Sequence, residues 1–430
     1  RDLHSFPTRR SSDLMAEVLC ALQTLSEICR AVPVLQVIDL VLPVLLQLLA
    51  DRDHLPSEIF PETVEQVATI AIACRSIEQG QGEEKFNEIL DILLNLVHHA
   101  KENDTDAAMQ FVPKNMMQIA KHLTTQASKQ EMLLRIMDSY RSLGIDIKKV
   151  HMKDTSVPAH RIEMLVSRLN CLLPVVAYLV QDYGREDILQ PDDTIEKMFR
   201  YVWFIWLLLR YVVGESCMSE WYKSLAVIAE KTPVLSFTGR SDYLKAEREV
   251  GVFLKNSTTA ADLVKIRSDV MAAARCSKAE AAALTFPQCC YLLTIHYLEN
   301  IRITSGNLEP LVAYLEGENS NMVTLVHSIV RFVFEGFLAT LSSWKGTVKL
   351  NETLLQQTVF LLLCSCSRIS TVRQFSYDFL RRIRQEFPKV LWNSAAIYLM
   401  LDLLEAVSKS IVQYSSNGAE YKADVSVVRV

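Results

Sequence analysis

Apolar residues recur at helical spacing along nearly the whole chain. In EEKFNEILDILLNLVHHAK, Phe86, Ile89, Leu90, Leu93 and Val97 fall at i, i+3, i+4, i+7 and i+11, one face of an α-helix. Glu83 and Glu84 stand in the first turn and Lys101 near the end, which suits the helix dipole. NETLLQQTVFLLLCSCSR carries a similar stripe through Leu354, Leu355, Val359 and Leu362. QPDDTIEKMFRYVWFIW offers Asp192 or Asp193 as an N-cap before a long apolar run. The pattern predicts helices over 15–30, 34–50, 61–78, 83–101, 114–126, 129–142, 159–182, 193–213 and 217–230. It continues over 241–255, 259–275, 278–302, 307–316, 321–343, 351–368, 371–386 and 389–414. Polar links such as QGQG, KENDTD, EGENSN and SWKGTVK separate them. No alternating run is strong enough for a core strand; YKADVSVVRV alternates only weakly.

One helix in roughly 20–25 residues, joined by short links, predicts neighbours that pack antiparallel. At 430 residues the chain exceeds the size at which a single core stops growing, whereas a stack of helix pairs grows by local contacts. No fixed-period consensus and no tetratricopeptide or ankyrin signature is present. The expected fold is all-α, an irregular HEAT-like α-solenoid of stacked antiparallel helix pairs. It would occupy 15–415, with a sub-break near 183–192 and a truncated, poorly ordered end over 416–430.

Composition narrows this further. Half the residues are hydrophobic, which excludes disorder, and Gly (12) and Pro (13) are too few for the many tight turns of a sandwich or barrel. The net charge of -5 supplies no basic field for nucleic acid. The ten cysteines mostly sit in apolar runs such as FPQCCYLLTIHYL, as buried thiols of a reducing compartment do. Cys364 and Cys366 form C-x-C with no second pair at zinc spacing, so no metal site is expected. The most apolar stretch, Tyr201 to Val213, is shorter than the about 20 residues a bilayer span needs and contains Arg210, so no transmembrane span is expected.

Catalytic signatures are missing. There is no G-x-G-x-x-G, Walker A run, H-E-x-x-H or G-x-S-x-G. QGQGEE reads as a polar interhelical loop, and DRDHLP, from Asp51 to Pro56, as a Pro-ended loop. His98 and His99 close an amphipathic helix, where a cation is favourable. FLRRIRQEFPKVLW carries Arg381, Arg382, Arg384 and Lys389 at a helix end; besides a solvated face, this is a candidate surface for an acidic partner or phospholipid headgroups. Trp203, Trp206, Trp221 and Trp392 lie in apolar runs or at helix starts and are expected to pack in the core.

Four stretches in fixed order complete the picture: MFRYVWFIW, SEWYKSLAVIAEKTPVLSF, YLLTIHYLENIRI and EFPKVLWNSAAIYLMLDLLEAVSKSI. The set resembles the N-terminal helical region of type III alpha phosphatidylinositol 4-kinases. The resemblance covers about 195–415 well and 15–190 only as a pattern. The matching positions are Trp221, Tyr222, Thr232, Pro233, Leu235 and Phe237, then Phe387, Pro388, Leu391 and Trp392, followed by Met400, Leu401 and Asp402. The loop GESCMSEWY departs from the family, which has a Trp-Pro ahead of the Trp-Tyr pair. The family's kinase motifs, D-R-H-x-x-N and D-F-G, are absent. The resemblance therefore implies a fragment with no catalytic, cofactor or metal residue, ATP and Mg belonging to the parent's kinase domain. It implies a parent that makes phosphatidylinositol 4-phosphate at the plasma membrane. Partners would be a tetratricopeptide-repeat scaffold, a hyccin-type subunit and a palmitoylated anchor protein, the complex being cytoplasmic and recruited peripherally. The alternative is an unrelated helical-repeat adaptor in trafficking or transport.

The opening RDLHSFPTRRSSDL is Arg- and Ser-rich but contains Asp2, Asp13 and a Pro, and no apolar region follows its arginines within the segment. It fits neither a secretory signal nor a mitochondrial presequence. From His4 to Leu14 it equals one reading frame of a common short-read sequencing adapter. Residues 1–14 are accordingly expected to be non-native and disordered.

Overall fold

In the computed structural model, the structure describes residues 9–50, 56–77, 80–99, 105–153, 159–189, 192–213, 221–235, 260–316 and 322–417. The helices are α1 (Arg9–Ala31), α2 (Leu35–Ala50), α3 (Ile59–Cys74), α4 (Gln81–His98), α5 (Thr105–His122), α6 (Gln126–Lys153), α7 (Ala159–Asn170), α8 (Leu173–Val180), α9 (Arg185–Leu189) and α10 (Asp193–Val213). They continue as α11 (Tyr222–Lys231), α12 (Ala260–Ala274), α13 (Lys278–Ala283), α14 (Phe286–Arg302), α15 (Glu309–Ala313), α16 (Val323–Ser343), α17 (Val348–Cys364), α18 (Ser370–Glu386) and α19 (Ser394–Asn417). Two 3-10 turns, Ile303–Ser305 and Pro388–Trp392, join α14 to α15 and α18 to α19. No strand occurs among the described residues.

The chain forms two compact units, one of residues 1–182 with 208–228 and one of 183–207 with 229–430. In the first, α3 packs on α1 and α5 as well as on its chain neighbours α2 and α4; α5 packs on α8, and α4 on α6. α1, α3, α4 and α6 thus each touch the next helix and the next but one, the contact pattern of a two-row solenoid. Its core includes Ile38, Leu45, Val67, Phe86, Leu93, Val112 and Met132. The stripe Phe86, Ile89, Leu90, Leu93 and Val97 is entirely buried, as its spacing requires. In the second unit α14 packs between α12 and α16, and α17 against α18 and α19. Phe334 stacks on Phe379 with centroids 3.7 Å apart, tying α16 to α18. The fold is an all-α solenoid of stacked helix pairs.

Local chemistry moves several predicted boundaries. The helix expected over 278–302 is two. Ser277 caps α13 with Glu280, and Thr285 caps α14 with Gln288, each as a capping box. The helix expected over 159–182 breaks at Cys171–Leu172, and Pro174 occupies the first turn of α8. α5 begins at Thr105 and runs through Pro113 to His122, whereas the predicted helix spans 114–126. The disorder expected over 9–14 is replaced by helix, because α1 starts at Arg9. Arg9, Arg10, Leu14 and Met15 are good helix formers, and Pro7 is the nearest breaker upstream. Residues 1–8, the helix expected over 241–255, most of DRDHLP (51–55) and the segment 418–430 lie outside the described residues.

Gly82 shows why QGQG is more than a polar link. Its residues from Gln81 already belong to α4, and a Cβ on Gly82 would stand 2.4 Å from the Cys74 carbonyl oxygen. Only Gly lets α4 approach the end of α3 this closely.

Candidate functional site

The second unit contains a buried polar clamp built where α11 stops. Pro233 follows Thr232, has no amide donor and disfavours helix in the residue before it, so α11 ends at Lys231. The end of a helix leaves carbonyls without partners. The Arg302 guanidinium, from the last residue of α14, fills this need. Its Nε donates to the Ala229 carbonyl at 2.8 Å, and Nη2 to the Thr232 carbonyl at 2.6 Å. Nη1 donates to Glu299 Oε1 at 2.6 Å, one turn back on α14. The Tyr314 hydroxyl donates to the same oxygen at 3.0 Å and accepts the Leu235 amide at 3.1 Å. Tyr291 donates to the Leu235 carbonyl at 2.9 Å, and Trp203 Nε1 to the Thr232 hydroxyl at 2.8 Å.

Arg302 and Glu299 are each 1% exposed. Burial raises the Glu299 carboxyl above its ordinary value, against the pull of Arg302 and the Tyr314 hydrogen bond. Burial, and then the Glu299 charge, push the Tyr314 hydroxyl well above its ordinary value. Removing one member of such a pair costs about 3–5 kcal/mol, because the other stays buried and uncompensated. These groups hold a chain segment in place.

The clamp explains part of the family-like signature. Thr232, Pro233 and Leu235 are buried in it. Trp221 is half-buried, Tyr222 is exposed, and Phe237 lies outside the described residues. Phe387 is buried, Leu391 half-buried and Pro388 exposed. Trp203 and Trp206 are core residues as expected, but Trp392 is 81% exposed. It ends the turn Pro388–Trp392, whose inward residue is Val390, and that tight turn carries the indole outward. On α19, Tyr398, Leu401 and Leu404 are exposed opposite the buried Ala396, Leu399 and Leu403.

Arg381, Arg382, Arg384 and Lys389 are all exposed. The structure divides them. Arg381 and Arg382 line a groove of about 360 Å³ between α16 and α18, together with Arg331, Glu335, Asp378 and Gln385. Arg384 and Lys389 do not line it. Arg331 is the member that the sequence did not single out; it lies far along the chain on α16, and its guanidinium sits 4.6 Å over the Phe375 ring of α18.

Other candidates behave as structural groups. His98 stacks on His99 and lies 3.8 Å from Asp146. Burial, then the His99 charge, lower its pKa against Asp146, so the expected cation at this helix end is disfavoured at neutral pH. Burial raises the thiols of Cys74 and Cys171 to about 12 and that of Cys289 to about 11. Cys20 is exposed, whereas Cys29 and Cys290 are buried. No group of three or more His, Cys, Asp or Glu side chains arranged for a metal occurs among the described residues.

A family model described as the PI4-kinase N-terminal region matches residues 8–213 and 207–427. The chain belongs to the PI4-kinase N-terminal region family. It is 22% identical over 225 residues to phosphatidylinositol 4-kinase stt4 of Schizosaccharomyces pombe, covering 52% of this chain and 12% of that protein. It is 20% identical over 360 residues to phosphatidylinositol 4-kinase STT4 of Saccharomyces cerevisiae, covering 78% of this chain and 18% of that protein. The chain therefore spans less than a fifth of the length of either relative.

For this PI4-kinase N-terminal region, the clamp and the solenoid packing are the observed properties. Two stretches, His160–Val180 and Val323–Ser343, have the length and hydropathy of a membrane span, by composition alone. The first is broken at Cys171–Leu172, and the second carries Arg331 and Glu335. Of their apolar windows, 67% and 44% are buried within the fold, and core helices of soluble proteins meet the same criteria.

Proposed function

We propose that this chain is the assembly arm of a phosphatidylinositol 4-kinase and mediates protein–protein contacts without catalysing the reaction. The match of the kinase N-terminal family over 8–213 and 207–427 carries this reading. It also displaces the alternative of an unrelated adaptor. Stacked helix pairs support it, because they offer long surfaces to partners, as do the exposed Trp392, Tyr398 and Leu401. In this reading ATP and Mg are bound by a kinase domain outside this chain, and the complex makes phosphatidylinositol 4-phosphate at the plasma membrane. Its partners are a tetratricopeptide-repeat scaffold, a hyccin-type subunit and a palmitoylated anchor protein that recruits it peripherally from the cytoplasm.

Co-expression tests the reading. The tagged chain is expected to retain the tetratricopeptide-repeat and hyccin-type subunits on affinity resin, and to transfer no phosphate from ATP to phosphatidylinositol vesicles. Failure to retain either subunit, while the full-length kinase retains both, would assign assembly to another region.

A further inference from the structure

The groove between α16 and α18 has the chemistry of a polypeptide-binding site. Three of its side chains, Arg331, Arg381 and Arg382, come from two helices and converge on one concavity. Arg331 is held in place by stacking over Phe375, so little of its freedom remains to be lost on binding. Arg381 and Arg382 make no ion pair among the described residues. The floor is rigid, because Phe334 and Phe379 stack beneath it at 3.7 Å.

The groove also carries carboxylates. Glu335 is bound by Arg275 through two contacts, 2.6 and 3.3 Å long, which neutralise it. Asp378 has no such partner among the described residues. Three arginines thus face one unpaired acid, in a chain whose net charge is -5. A guanidinium fork matches a carboxylate in a bidentate way, and such charge-assisted bonds are the stronger kind.

We propose that this groove binds an acidic segment of a partner protein, whose Glu or Asp side chains are taken by Arg331, Arg381 and Arg382. The shape and charge pattern favour a polypeptide over a membrane. A bilayer surface is broad and presents its headgroups in a plane, so it meets the rim of a concavity between two helices and not its floor. A polypeptide can place acids against the arginines and a basic or neutral residue against Asp378. The exposed Trp392, which would suit a membrane interface, does not line the groove. The proposal refines the assembly reading by naming the chemistry of one contact.

The test uses the full 430-residue chain and a fluorescein-labelled octaglutamate peptide, followed by anisotropy at low and physiological salt. The chain is expected to bind the peptide, more weakly at higher salt. R381E/R382E is expected to lose at least about tenfold in affinity, the scale of one charge-assisted bond. The substitution Arg331→Gln, on the other helix, is expected to weaken binding as well. R384E/K389E carries the same change of charge away from the groove and is expected to shift affinity by less than about twofold. Equal losses in the two double variants would show diffuse attraction and overturn the site. No binding of octaglutamate would overturn it too, as would phosphatidylserine vesicles binding in its place. None of these outcomes alters retention of the kinase subunits, so the two readings fail separately.

Discussion

Arginine is used in opposite ways at two places in the second unit. Arg302 is 1% exposed and directs three of its nitrogens at the Ala229 and Thr232 carbonyls and at Glu299. Arg381 and Arg382 stand exposed on α18 with no ion-pair partner among the described residues. The same side chain is structural where its donors meet carbonyls left over at a helix end. It is available to other molecules where its neighbours leave it unpaired. The difference lies in what the fold has already spent on each guanidinium.

The comparison breaks first at the clamp. Arg302→Ala is expected to destabilise the second unit by about 3–5 kcal/mol, read as a lower urea midpoint. Replacing the pair together, as R302M/E299L, is expected to cost much less, because no buried charge is stranded. If the double replacement costs as much as the single, the clamp acts through its hydrogen bonds to Ala229 and Thr232 and not through charge.

A smaller, pH-dependent effect is expected from Glu299→Gln. Burial raises the Glu299 carboxyl in the folded chain above its ordinary 4.5. The folded state then holds that proton more tightly than the unfolded state does. The associated stability is complete below the ordinary value and is lost as pH rises through the folded-state value. Gln does not titrate, so the stability of the variant relative to the parent should improve from acidic to neutral pH. Urea titrations at several pH values read this directly, and a constant gap would refute the raised carboxyl.

The smallest effect sharpens the other side. Because Arg381, Arg382 and Arg384 make no ion pair among the described residues, R381A/R382A/R384A should leave the unfolding free energy from urea titration within about 0.5 kcal/mol of the parent. A larger loss would mean that these arginines also hold the fold.

The helical fold was readable from periodicity, as the unchanged boundaries of α10 at Asp193 and Val213 show. Two local signals that the periodicity reading passed over were also present: SKAE and TFPQ are capping boxes, and they split one predicted helix into α13 and α14. The start of α5 was missed as well: the predicted helix begins at 114, whereas residues buried on both sides of Pro113, Ala108 and Val112 before it and Met116 and Ile119 after it, hold the helix from Thr105 onward. The clamp was not legible. Glu299 and Arg302 at i and i+3 look like a solvent-facing pair, and only a segment about seventy residues earlier in the chain buries them. The basic groove was half legible: α18 supplied Arg381 and Arg382, but Arg331 comes from a helix that periodicity alone cannot place beside them.

The clamp also bears on how such a stack comes apart. Repeat arrays with only neighbour contacts can unzip from an end, one helix pair at a time. Here Arg302 reaches back 73 residues to Ala229, and Tyr314 is joined across 79 residues to Leu235. These bonds skip the intervening helices and splice distant positions into one cooperative block. Fraying that enters this block must release the segment 229–235, Arg302 and Tyr314 together, so the clamp acts as a stop against progressive unzipping.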